Sequence, residues 1–292
     1  MMDYRLTHRT IYDYTEGVTV SHHAARLMPL TSARQRVSKF SLTIWPGPAV
    51  RKESRDYFGN HVCFFAIQES HRTFEVLASS QVTIDASMAP LPGCSPAWES
   101  VAACFRDPVS PADVAHYEFC FDSPLVRLAP AIADYARESF PPGRPLLDGV
   151  RDLMRRIHGD FRYDNVATTV ATPLEEVWAK RHGVCQDFAH VAIACLRSLG
   201  LPARYVSGYL RTYPAAGRQR MVGADASHAW FSAYCPGAGW VDFDPTNNLL
   251  PADEHITVAI GRDFSDVSPL SGILTGGGEH EVRVLVDVEA YD

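Results

Sequence analysis

The apolar residues change their period near residue 85, and that change limits what this chain can fold into. Before it, short runs rich in β-branched and aromatic residues follow one another: "YRLTHRTIYDY", "VTVSHHAARLMP", "RVSKFSLTIWP", "HVCFFAI" and "TFEVLASSQVTI". Turn-forming pairs lie between them, at Glu16-Gly17, Pro46-Gly47 and Gly59-Asn60. That reads as a β-sandwich-like domain over residues 1–95. After a proline-rich bridge from Ala89 to Ser123, the pattern turns helical. Leu128, Ile132 and Tyr135 share one face; Leu147, Val150, Met154 and Ile157 share another. Thr172, Pro173 and Glu175 form a capping-box start for the next helix.

A further helix has Phe188, Val191, Ala192, Cys195, Leu196 and Leu199 at helical spacing and ends at Gly200 and Pro202. Three strand-like runs follow: "ARYVSGYL", "ASHAWFSAYC" and "GWVDFDPT". The expected class is therefore α+β, with a core over 96–265 and a tail over 266–292. A strand over 279–291 alternates apolar with polar residues and is expected to pair with the N-terminal domain.

Composition narrows the function. With 46% hydrophobic and 21% charged residues, the chain can bury a real core. Its net charge of −7 speaks against nucleic-acid or anionic-membrane partners. No apolar run approaches membrane length, and the first residues lack a secretory h-region, so the expected location is the cytoplasm. Seven cysteines without a CxxC predict neither a disulfide framework nor a zinc site. His22-His23 reads as a strand pair rather than a metal site, and no cofactor is expected.

"RHGVCQDFAH" places Cys185 in the first turn of the Phe188–Leu199 helix. A thiol there can act as a nucleophile, because free N–H groups and the helix dipole favour an anion. On its own, a buried structural cysteine is the commoner outcome, and Cys195 on the same helix illustrates it. A nucleophile also needs a base and an orienting group. His228 lies at the start of the strand "SHAWFSAYC", whose alternation aligns it with Trp230, Ser232 and Tyr234. Asp242 and Asp244 fall on one face of the next strand, and periodicity does not choose between them. Asp187 reads as a first-turn carboxylate. His190 lies five positions past Cys185, about 140° around the helix, and is poorly placed as the base.

"RHGVCQDFAH", "SHAWFSAYCPGAGWVDFDPTNN" and "IHGDFRYD" together resemble the transglutaminase-like superfamily, relatives of papain-type cysteine proteases. "RDYFGNHV" and the first strands resemble the β domain of its bacterial members, and "GRDFSDVSPLSGI" resembles their tail. The resemblance implies a papain/transglutaminase-like core, a helix on an antiparallel sheet. It also implies a Cys185–His228–Asp244 triad, choosing Asp244. The implied chemistry is amide acyl transfer on a peptide or protein through a thioester, with hydrolysis favoured. Protein cross-linking, or a non-catalytic binding module, are the alternatives. The Cys185 backbone N–H, Trp178 and Tyr163 are the candidate oxyanion donors. No calcium-loop motif is present.

Overall fold

The computed structural model describes residues 1–86, 95–106, 111–164, 168–212 and 227–291. The N-terminal part is built on β1 (Met2–Ala25), followed by β2 (Gln35–Trp45), β3 (Val50–Arg55), β4 (His61–Ile67) and β5 (His71–Ile84). The two runs expected on either side of Glu16-Gly17 form one strand of 24 residues. The glycine marks an irregularity rather than a turn: the β1–β5 register breaks between Asp13 and Val18.

Beyond the bridge come α1 (Trp98–Arg106), α2 (Pro111–Tyr117), a 3₁₀ turn at Glu118–Cys120, α3 (Pro130–Glu138) and α4 (Leu146–Asp160). The bridge thus contains helices where a loop was expected; residues 87–94 and 107–110 of this region lie outside the described set. Next are β6 (Arg162–Tyr163), α5 (Leu174–Lys180), β7 (His182–Gly183) and α6 (Cys185–Ser198). A second sheet follows as β8 (Ala203–Leu210), β9 (Ser227–Cys235), β10 (Gly239–Phe243) and β11 (His255–Gly261). The chain closes with α7 (Phe264–Val267), β12 (Leu270–Gly276) and β13 (His280–Tyr291). Helix α5 starts one residue later than its capping box predicted. Thr172 Oγ1 instead accepts from the Thr169 N–H, closing the preceding turn.

Strand β1 organises the larger sheet. Its first half lies between β5 and β13, its second half between β4 and β12. In this strand-rich N-terminal region seven strands are joined through β1 into one hydrogen-bonded network. Its interior packs Leu42 and Ile44 with Phe65, Ile67, Phe74 and Val76. His23 is buried in that interior, stacked on Phe65 and Phe74. Burial drives its pKa down to about 4, so the ring is neutral.

The smaller sheet runs β10-β9-β8-β11, all antiparallel. Helix α6 packs on β8 and β9, with α3, α4 and α5 against its other sides. The sequence marked one buried face, yet every residue from Gln186 to Arg197 is buried. Ala189, Ala192 and Ala194 are small enough to let the neighbours approach all round. Full burial of Ile193 and Leu196 contributes roughly 1.5–3 kcal/mol each. The helix that begins with Cys185 is therefore a fixed part of the core. No described helix is long and apolar enough to cross a membrane.

Candidate active site

Cys185 is the first residue of α6, so its backbone N–H has no acceptor within the helix. The turn before it explains "HGVCQD". Asp187 Oδ2 accepts from the Val184 N–H at 2.8 Å and from the Thr168 hydroxyl at 2.6 Å. Its carboxylate folds back over Gly183, where an added Cβ would lie 2.4 Å from Oδ2. Burial raises the Asp187 pKa, against the pull of those two hydrogen bonds. Its charge is turned to the helix start, not to the thiol.

Gly183→Ala should therefore cost about 1–3 kcal/mol by displacing Asp187. A melting curve would register the loss, and the alkylation rate of Cys185 should fall with it.

His228 sits at the second position of β9, opposite Gly208 of β8. Its Nε2 donates to Asp244 Oδ2 at 2.7 Å. The ring also feels the thiol of Cys185, which lines the same cleft. Burial alone would lower the His228 pKa. The hydrogen bonds and charges of Asp244 and Cys185 outweigh it, and the group stands at about 10.

Asp244 is fully buried just past the end of β10. Five donors converge on it. Oδ1 accepts from the backbone N–H groups of Thr246 and Asn247, at 3.0 and 3.1 Å. Oδ2 accepts from His228, from Asn247 Nδ2 at 2.8 Å, and from His255 Nε2 at 3.0 Å. Burial pushes its pKa up, but these partners hold it well below the usual carboxylate range. Asp242 goes elsewhere: opposite Ser232 in the β9–β10 register, it accepts from that hydroxyl at 2.5 Å and faces Arg34 at 3.9 Å.

Cys185 and His228 open on a cleft of about 400 Å³, walled by Tyr163, Leu210, Thr246 and Asn247. The Oγ1 of Thr246 is buried with no hydrogen-bond partner among the described residues. Tyr163 reaches the cleft from β6, which pairs with β7 just ahead of the cysteine. Trp178 does not: its ring lies under the Arg181 guanidinium at 3.6 Å and meets Tyr135 edge-on. As an oxyanion donor it is thus replaced by packing, because α5 turns its indole toward α3. His190 is also removed from the chemistry. Its Nε2 accepts from the Phe264 N–H at 3.2 Å, and burial lowers its pKa.

His255 is the residue the sequence did not single out. Among the described residues, one side-chain group has metal-ligand character: His228, Asp244 and His255, with donor atoms within 4.8 Å of one another. The two imidazole N–H groups already bond the carboxylate there, so a cation would have to displace both protons. The donor set fits a proton-holding network better than a metal.

This arrangement coincides with a known family. The description "Bacterial transglutaminase-like N-terminal region" matches residues 4–83, and "Transglutaminase-like superfamily" matches residues 133–245. An uncharacterized protein of Mycobacterium tuberculosis is 43% identical over 99% of this chain and 93% of its own length. The protein-glutamine gamma-glutamyltransferase of Pseudomonas aeruginosa is 31% identical over 42% of this chain and 19% of its own length. The crystal structure named "Putative Cysteine Protease from Cytophaga hutchinsonii" superposes with a TM-score of 0.76 at 21% identity, covering all of this chain and 91% of that one. The chain belongs to the transglutaminase-like superfamily and carries the scaffold of its thiol enzymes.

Proposed function

We propose that this protein is a thiol-dependent acyl-transfer enzyme acting on carboxamide or peptide bonds of peptides or proteins. The observation that carries this reading is that Asp244 holds His228 by a hydrogen bond and that His228 and Cys185 line one cleft. The Cys185 thiolate attacks the carbonyl carbon while imidazolium stands ready on His228. The oxyanion forms beside the free N–H of Cys185, with the Tyr163 hydroxyl as the second candidate donor. His228 then protonates the leaving ammonia or amine, giving a thioester. Water attacks the thioester, His228 takes its proton, and the acid departs as the thiol is restored. Asp244 keeps the imidazole oriented and supports its charge throughout.

Hydrolysis is favoured because the cleft is open to water and the superposed Cytophaga protein is described as a protease. The Pseudomonas relative's name supports a second reading, in which a protein amine replaces water. A screen of peptide amides with and without a primary amine separates the two. Ammonia or amine release that ignores the added amine is expected. Incorporation of the amine into product would establish the transferase, and the absence of both reactions across a broad peptide set would sink the enzyme reading.

A further inference from the structure

Asp244 serves two imidazoles, and only one of them faces the thiol. His228 and His255 donate to the same oxygen, Oδ2, at 2.7 and 3.0 Å. His255 opens β11, is 2% exposed, and is not among the residues lining the cleft. Its ring stands edge-on to Trp230, with centroids 5.2 Å apart and planes at 88°. Packing thus leaves His255 little room to turn away from the carboxylate.

The strand that carries it is gripped from outside. As the outer strand of its sheet, β11 has backbone groups with no partner strand on one side. Two buried amides of the N-terminal part fill them. Gln35 Oε1 accepts from the Thr257 N–H at 2.8 Å, and its Nε2 donates to the Thr257 carbonyl at 2.7 Å. Asn60 makes the same pair of bonds with Ile260, at 2.8 and 2.7 Å. Each amide mimics a neighbouring strand. The Gln35 clamp sits where the β11–β8 register slips, between Thr257 and Ala259, two residues from His255. A one-residue slip of a strand reverses the direction of every side chain on it. The same slip would turn His255 away from Asp244.

We propose that His255 is a positioning residue for the Cys185–His228–Asp244 reaction, and that the N-terminal part holds it in place through the Gln35 clamp on β11. The inference rests on the triad reading above. During turnover His228 alternates between imidazolium and imidazole, and its attraction for Asp244 weakens each time it gives up the proton. The N–H of His255 keeps Oδ2 on station through that phase. The titratable groups facing His228 among the described residues are Cys185 from α6, Asp244 after β10 and His255 from β11, whose ring centroid lies 5.9 Å from its own. His255 acts through Asp244, and Tyr163 opens on the same cleft from β6.

The rate of Cys185 alkylation by iodoacetamide, followed against pH, tests this without a substrate. The wild-type profile should show a plateau where thiolate stands beside imidazolium, ending in a second rise where imidazolium loses its proton. His255→Phe keeps a ring against Trp230 but loses the donor. It should move the second rise to lower pH by roughly one unit, a tenfold change in proton affinity. His255→Gln, which retains an N–H donor, should restore much of the profile. Gln35→Met, remote from the thiol, should shift the rise in the same direction by less.

A His255→Phe protein that melts cooperatively and keeps the wild-type profile would overturn the role of His255. If that variant does not fold, a wild-type profile in Gln35→Met overturns the proposal. If wild-type Cys185 reacts no faster than exposed Cys104, the triad reading itself fails, which is a different result.

Discussion

Replacing Cys185 by alanine is expected to abolish turnover of any amide the protein cleaves, a loss on the order of 10⁶ in kcat, the size seen when a triad nucleophile is deleted. Stability should barely change, because the side chain is only partly buried and begins a helix whose core lies further along. Among the cysteines, the comparison is built in. Cys195 is fully buried on the same helix, and burial raises its pKa to about 12, so it should resist iodoacetamide until the protein unfolds. Cys104 is exposed and lacks the arrangement around Cys185. Peptide mapping after brief alkylation should therefore find Cys185 modified ahead of Cys104, although Cys104 is the more accessible. Equal rates would mean that accessibility alone governs labelling, and residual turnover in Cys185→Ala would place the nucleophile elsewhere.

What could be read from the sequence depended on how locally each feature is encoded. Cys185 was legible because a glycine, a helix start and an apolar period lie within a few residues of it. His228 was legible as a histidine at the start of an alternating strand. The choice of Asp244 over Asp242 was not local. Both lie on one face, and the β9–β10 register decides, pairing Asp242 with Ser232 and carrying Asp244 past the strand end to His228. His255 left no sequence signal at all. It meets Asp244 because β10 and β11 lie at opposite edges of one sheet and the intervening chain crosses between them. Spacing along the chain does not encode such a meeting. The same holds for Gln35 and Asn60, whose partners are more than 190 residues away. The irregularity at Glu16-Gly17 looked like a turn because its chemistry is that of a turn. Pairing with strands from both ends of the chain carries β1 straight through it. Trp178 was a candidate donor to the oxyanion, but its indole packs against Tyr135 of α3 and under Arg181 at the end of α5.

Asp244→Asn should lower kcat by about 10⁴ at neutral pH, and should also change the shape of the pH profile. The sign follows from the charges. Asp244 is an anion bonded to His228, and with Cys185 it raises that imidazole's pKa to about 10 in spite of burial. A neutral amide withdraws the charge, so imidazolium is lost at a lower pH. Since imidazolium must protonate the leaving amine, the alkaline limb of kcat should move toward neutral. Folding stability carries a matching signature. The raised pKa of His228 contributes stability that is complete below its unfolded value of 6.5 and fades as pH rises through about 10. The depressed pKa of Asp244 contributes stability that is complete above 3.8 and is lost as pH falls further. The two describe one interaction, fullest between those unfolded values and weaker on either side. In Asp244→Asn the pH dependence of the melting temperature should flatten over both outer ranges, while Asp242→Asn, whose carboxylate faces Ser232 and Arg34, should leave the alkaline limb where it was. A variant Asp244→Asn with an unmoved limb would mean that another group supports the imidazolium.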